Sequence, residues 1–78
     1  MLLAIDIGNT HITVGAFEGE HLRHLWRLAT DEKKTADEYG TMLLNCLHHD
    51  AAASVIRAVA IGSVVPALTK TFETISKR

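Results

Sequence analysis

Residues 4–10 read Ala4-Ile5-Asp6-Ile7-Gly8-Asn9-Thr10, and the fold turns on how they are read. An acid stands at the end of an apolar run, and a Gly-Asn-Thr turn follows at once. The run from Leu2 to Ile7 is short and nearly unbroken, the pattern of a strand buried on both faces. An ionised carboxylate in that setting is costly unless it is paired, hydrogen-bonded or bound to a metal. What Asp6 faces is therefore the first question. Gly8 and Asn9 both tolerate positive φ, which reads as a two-residue hairpin turn. The returning strand, residues 11 to 18, alternates Ile12, Val14 and Ala16 against Thr13, Gly15 and Phe17.

Further along, Gly19-Glu20 reads as a second turn and residues 21 to 29, HLRHLWRLA, as a third strand. Leu22, Leu25 and Trp26 would also suit a helix face, but the two short turns favour the strand. Residues 30 to 34 form a charged loop. Thr35-Ala36-Asp37-Glu38 is a capping box, with Thr35 accepting from the backbone at 38 and Glu38 reaching back. Asp37 and Glu38 also suit the positive end of a helix dipole. The helix that follows carries Tyr39, Met42, Leu43, Cys46 and Leu47 as its apolar stripe. It is expected to fade near Asp50, with Ala51 to Ala53 as a possible extension. Residues 57 to 65, RAVAIGSVV, read as a fourth strand, reached through the helix and so parallel to one already laid down. Pro66 suits the first turn of a second helix, with Ser63 a helper at its cap. Leu68, Phe72 and Ile75 form that helix's stripe, and Lys70, Glu73 and Lys77 lie outside it.

The element order is β-β-β-α-β-α in 78 residues with 47% apolar content and a formal net charge of -1. That composition belongs to a soluble globular protein. It lacks the basic footprint expected of a nucleic-acid binder. The five histidines show no metal-type spacing, and a single cysteine, Cys46, makes no internal disulfide. The N-terminus meets an acid at position 6, unlike a signal peptide, and no apolar run approaches a membrane span. A cytoplasmic setting is expected. Domains below about 80 residues are marginal without a disulfide or metal. An idealised mini-domain, an oligomer or a piece of something larger is therefore expected.

A strand end carrying an acid, a glycine, an amide and a hydroxyl can cradle phosphate. Gly8 lets backbone approach a ligand closely, and Asn9, Thr10 and backbone N–H groups can donate to phosphate oxygens. Asp6 can hold Mg²⁺, which is commonly bound by one or two carboxylates plus substrate phosphates. Asp and Asn are also ordinary turn residues. Neither GxxxxGK[ST] nor GxGxxG is present.

The element order, with the acid at the first hairpin, resembles a lobe of the acetate kinase, sugar kinase, Hsp70 and actin superfamily. Three segments narrow the resemblance: AIDIGNTHITVGAF, WRLATDEKKTADEY and the strand ending IGSVVP. Together they look like the type III pantothenate kinases. The resemblance implies an α/β fold of the ribonuclease-H-like, actin-like ATPase type with a mixed sheet. It also implies ATP-dependent phosphorylation of pantothenate to 4'-phosphopantothenate, the first step towards coenzyme A. Carried over, Asp6 is the acid linked to Mg²⁺ and phosphate, and Gly8, Asn9 and Thr10 form the phosphate loop after Ile7. His11, Ile12 and Thr13 continue the ATP-binding segment, mainly through backbone.

The family's catalytic aspartate, in a later G-x-D-R segment, is not in these residues. Nor are its second phosphate motif with a monovalent-cation site (K⁺ or NH₄⁺), its adenosine contacts and most of its pantothenate pocket. Residues 1–78 are thus expected to form an incomplete first lobe without the second, inactive alone, with no catalytic residue of its own. Asp31, Asp37 and Asp50 read as loop or helix-end acids. A homodimer is expected at full length. Two alternatives stay open: another kinase of the superfamily, against which Asn9 counts where sugar kinases carry Gly-Gly-Thr, or a shortened regulatory module pairing through an exposed sheet edge. Among the remaining residues, Tyr39 reads as core, Cys46 as an inert buried thiol and His48-His49 as solvated imidazoles at a helix end. Arg27 is either a strand-surface residue or the partner of an acid.

Overall fold

The computed structural model describes residues 1–48 and 56–77. Strands β1 (Leu2–Ile7), β2 (His11–Glu18) and β3 (His21–Ala29) precede helix α1 (Ala36–His48). Strand β4 (Ala58–Ser63) and helix α2 (Pro66–Ser76) follow. The sheet order is β3-β2-β1-β4. The β1–β2 and β2–β3 pairs are antiparallel and β1–β4 is parallel, so the sheet is mixed. This is the β-β-β-α-β-α arrangement of an actin-like ATPase lobe. The possible extension of α1 through Ala51 to Ala53 lies outside the described residues, as do His49 and Asp50.

The period-2 pattern sorts the side chains onto two faces. Leu3, Ile5 and Ile7 lie beside Ala16, Val14 and Ile12 in register, and all six are buried. Tyr39, Leu43 and Leu47 of α1, with Val65 and with Leu68 and Phe72 of α2, cover that face. The rings of Tyr39 and Phe72 sit 5.1 Å apart, tilted by 44°. The capping box forms as the sequence predicts. The Glu38 N–H donates to Thr35 Oγ1 at 3.2 Å, and the Thr35 N–H donates to Glu38 Oε1 at 3.1 Å. Pro66 opens α2.

Four expectations are corrected. β1 is buried on one face only: Leu2 and Asp6 are exposed, because the core helices share one side. Its continuous apolar run promised two covered faces, and Asp6 is not a buried acid. Second, the turn after β1 uses no positive φ at Gly8 or Asn9; among the described residues only Gly19 does, at 61°. Gly8 serves by its lack of a side chain, since a Cβ there would stand 3.1 Å from the His11 carbonyl oxygen. Third, β4 ends at Ser63, and Ser63 is no helix cap. Its hydroxyl accepts from the Val65 N–H at 3.0 Å and turns the chain, while the cap residue, Val65, has no side-chain cap bond. Fourth, Cys46 is only half-buried, on the margin of the α1 stripe. Burial still pushes its thiol pKa up, with a backbone hydrogen bond pulling the other way.

Tyr39 does more than fill the core. Its hydroxyl accepts from the Asp31 N–H at 2.8 Å and lies within hydrogen-bond range of the Ala29 and Asp31 carbonyls. The link from β3 to α1 is thereby tied to the helix. Replacing Tyr39 by Phe keeps the ring and strands the Asp31 N–H, and should cost about 1 kcal/mol. A urea melt of Tyr39→Phe checks it, with the midpoint expected to fall and the slope to hold. Because the raised pKa keeps Cys46 protonated, its reaction with Ellman's reagent at pH 7 should be slower than that of an unstructured cysteine peptide and should accelerate as pH rises.

Candidate phosphate-binding site

Strands β1, β3 and β4 all end at one edge of the sheet. Ile7 stands beside Ser63 in the β1–β4 register, and Ala29 beside His11 in the β2–β3 register. Residues 8–10 cross this edge from β1 to β2. Ligands of open α/β sheets bind at such carboxyl ends.

The hydrogen bonding of the loop is lopsided. The Ile7 carbonyl accepts from the Val64 N–H at 3.1 Å, and the His11 carbonyl accepts from the Gly8 N–H at 2.9 Å. The Gly8 carbonyl accepts from Thr30 Oγ1 at 2.7 Å, and the Thr10 carbonyl accepts from the Thr30 N–H at 3.0 Å. Four carbonyls are thus held by the scaffold. The Asn9 and Thr10 N–H groups have no partner among the described residues, and neither do the Asn9 amide and the Thr10 hydroxyl. Both residues are exposed. A loop with its acceptors turned inward and donors left outward suits an anion.

The predicted site residues divide accordingly. Asp6, Asn9, Thr10 and His11 are exposed, and Thr13 is half-buried. Asp6 and Thr13 are cross-strand neighbours. Ile7 and Ile12 are fully buried among the core side chains, so their side chains anchor the strands that carry the loop. Gly8 spends its N–H on His11, which removes it from the expected set of donors. β2 lies between β1 and β3, whose ladders engage the backbone of residues 12 and 13. Thr13 stands beside Asp6 on the open face of the sheet.

The Asp6 carboxylate also lacks a protein partner among the described residues, and its β4 neighbour is Gly62, which leaves that side open. Among those residues no group of three ligating side chains could hold a metal alone. The donor set fits Mg²⁺ brought with a phosphate, one carboxylate from the protein and the remaining oxygens from ligand and water.

In sequence, Thr30 is simply the first residue of the charged 30–34 loop. It is the residue that fixes the 8–10 loop, and no local signal marks it because its contact spans 22 positions. Among the described residues, no helix is long and apolar enough to cross a membrane.

A family model of the type III pantothenate kinases matches residues 2–78. Proteins named type III pantothenate kinase are similar to this chain in several bacteria. The one from Geobacter sulfurreducens is 50% identical, over 97% of this chain and 30% of its own length. The one from Moorella thermoacetica is 49% identical over 90% and 28%, and that from Brevibacillus brevis 49% over 94% and 29%. The chain belongs to the type III pantothenate kinase family, and it spans under a third of the length of these relatives.

Placing Ala at position 8 puts a methyl group against the His11 carbonyl and should displace the loop. Gly8→Ala is expected to lose phosphate binding while the sheet persists, read by titration with MgATP and by circular dichroism.

Proposed function

We propose that this chain, as a member of that family, supplies the ATP-phosphate and Mg²⁺ element of a pantothenate kinase. The observation that carries the reading is the pair of unclaimed amides at Asn9 and Thr10, held outward beside the free Asp6 carboxylate. Phosphoryl transfer is catalysed mainly by positioning and charge stabilisation, and these residues are suited to both. The Asn9 and Thr10 N–H groups, with their side chains, bind and orient phosphate oxygens. Asp6 holds the Mg²⁺ that comes with the phosphates. That ion, when bound, neutralises charge on the phosphates. Thr30 and Val64 keep the loop from moving as charge shifts during transfer.

Relatives more than three times the length of their matched segments hold the same segment at about 50% identity. The reading assigns the general base, the pantothenate pocket and the K⁺ or NH₄⁺ site to the part of those relatives that this chain does not cover. A homodimer and a cytoplasmic setting belong to the same reading and rest on family membership alone.

The test is a chimera in which residues 1–78 replace the matching segment of the Geobacter sulfurreducens relative. It should transfer phosphate from ATP to pantothenate. Asp6→Asn in that chimera should lower turnover by about a hundredfold or more, the scale of losing a charge-stabilising group. A chimera whose activity survives Asp6→Asn would refute the role given to that carboxylate.

A further inference from the structure

The face of the sheet away from the helices is ordered into rows. Leu2, Phe17 and Leu22 form one, Ala4, Gly15 and Leu25 the next, and Asp6, Thr13 and Arg27 the third. On β4 the neighbours of Leu2, Ala4 and Asp6 are Ala58, Ala60 and Gly62. The first two rows are wholly apolar and line most of an open trough of about 390 Å³ that ends at Asp6 and Thr13. Every polar side chain in these rows falls in the third, beside the 8–10 loop.

Arg27 is exposed, and no described carboxylate pairs with it. It stands two strand spacings from Asp6, roughly 10 Å, with the small Thr13 between them. The loop itself carries no lysine or arginine. Of the nearest cations on the following loop, Lys34 reaches Asp31 at 4.0 Å. The backbone of Asp31 is in turn held by Tyr39 on the helix-covered side.

Resting on the phosphate reading above, we propose that Arg27 is a further binding residue of this site, its guanidinium taking the phosphate oxygens that Asp6 and its metal do not. Arginine presents a planar fork of donors that matches phosphate in a two-point contact. An acid at one end of the row and a guanidinium at the other match the opposite charges of a metal–polyphosphate. Asp6 serves the cation, Arg27 the anion, and the two roles separate by experiment.

The experiment titrates unaltered protein, Asp6→Asn, Arg27→Gln, Arg27→Lys and Arg23→Gln with MgATP and with ATP in EDTA. Arg23 lies at the β2–β3 irregularity, away from the row, and controls for net charge. Arg27→Gln should weaken both ligands by about ten- to a hundredfold, the scale of a lost charge-assisted bond. Arg27→Lys should fall between, and Arg23→Gln should match the unaltered protein. Asp6→Asn should weaken MgATP alone. Wild-type affinity in Arg27→Gln, with Asp6→Asn weakened, overturns the role of Arg27 and leaves the phosphate reading standing. No binding of either ligand by the unaltered protein overturns both. The Arg27 Nε resonance of the unaltered protein gives a readout independent of any variant's folding. It should shift on addition of MgATP, and a stationary resonance would count against the proposal.

Discussion

The bond from Thr30 Oγ1 to the Gly8 carbonyl, at 2.7 Å, ties the end of β3 to the turn after β1. Together with the Thr30 N–H on the Thr10 carbonyl, it decides which way the loop's peptides point. With those carbonyls turned into the scaffold, the outward surface of residues 9 and 10 is left with donors. Thr30 can do this because the β3–α1 link is itself fixed through Tyr39, which is packed on Phe72 and bonded to Asp31. A chain of contacts thus runs from the core of the helix layer to the candidate site. Packing of apolar surface provides the stability, and the polar contacts on top of it set direction.

The second organising feature is the asymmetry of the sheet. Both helices lie on one face, where six residues of β1 and β2 are buried. The other face keeps Leu22 and Leu25 about half exposed, at 49% and 57%. On that face the side chains change from apolar to polar one row before the loop. Gly62 and Thr13 keep the surroundings of Asp6 small and open. The asymmetry leaves a carboxylate that is accessible and unpaired among the described residues, a different situation from the buried acid that the apolar run suggests.

Much of this was legible locally. The two antiparallel pairs followed from short turns and period-2 alternation. The capping box at Thr35 and Glu38 and the proline at the start of α2 act within one helical turn, so the sequence carries them in full. Asp6, Asn9 and Thr10 could be singled out by residue type. The family resemblance added the three-segment pattern, which the match over residues 2–78 supports. Non-local facts were not legible. Which face of β1 is covered depends on where both helices land. That Gly8 is needed for closeness to the His11 carbonyl, and not for positive φ, depends on how the hairpin closes. Thr30 and Arg27 carry no local mark; long-range hydrogen bonds put Thr30 beside the loop, and the register puts Arg27 in the row of Asp6.

The central claim is that Asn9 and Thr10 form an anion site through their free amides, with Asp6 adding the metal. Amide-resolved NMR, comparing MgATP with ATP in EDTA, tests it most directly. The account predicts large shifts at the Asn9 and Thr10 N–H groups with either ligand. The Gly8 N–H, already bonded to His11, should move less, and a change near Asp6 should require Mg²⁺. Shifts concentrated on the Gly40, Leu44 and Ile75 side of the helices, with residues 9 and 10 unmoved, would contradict it.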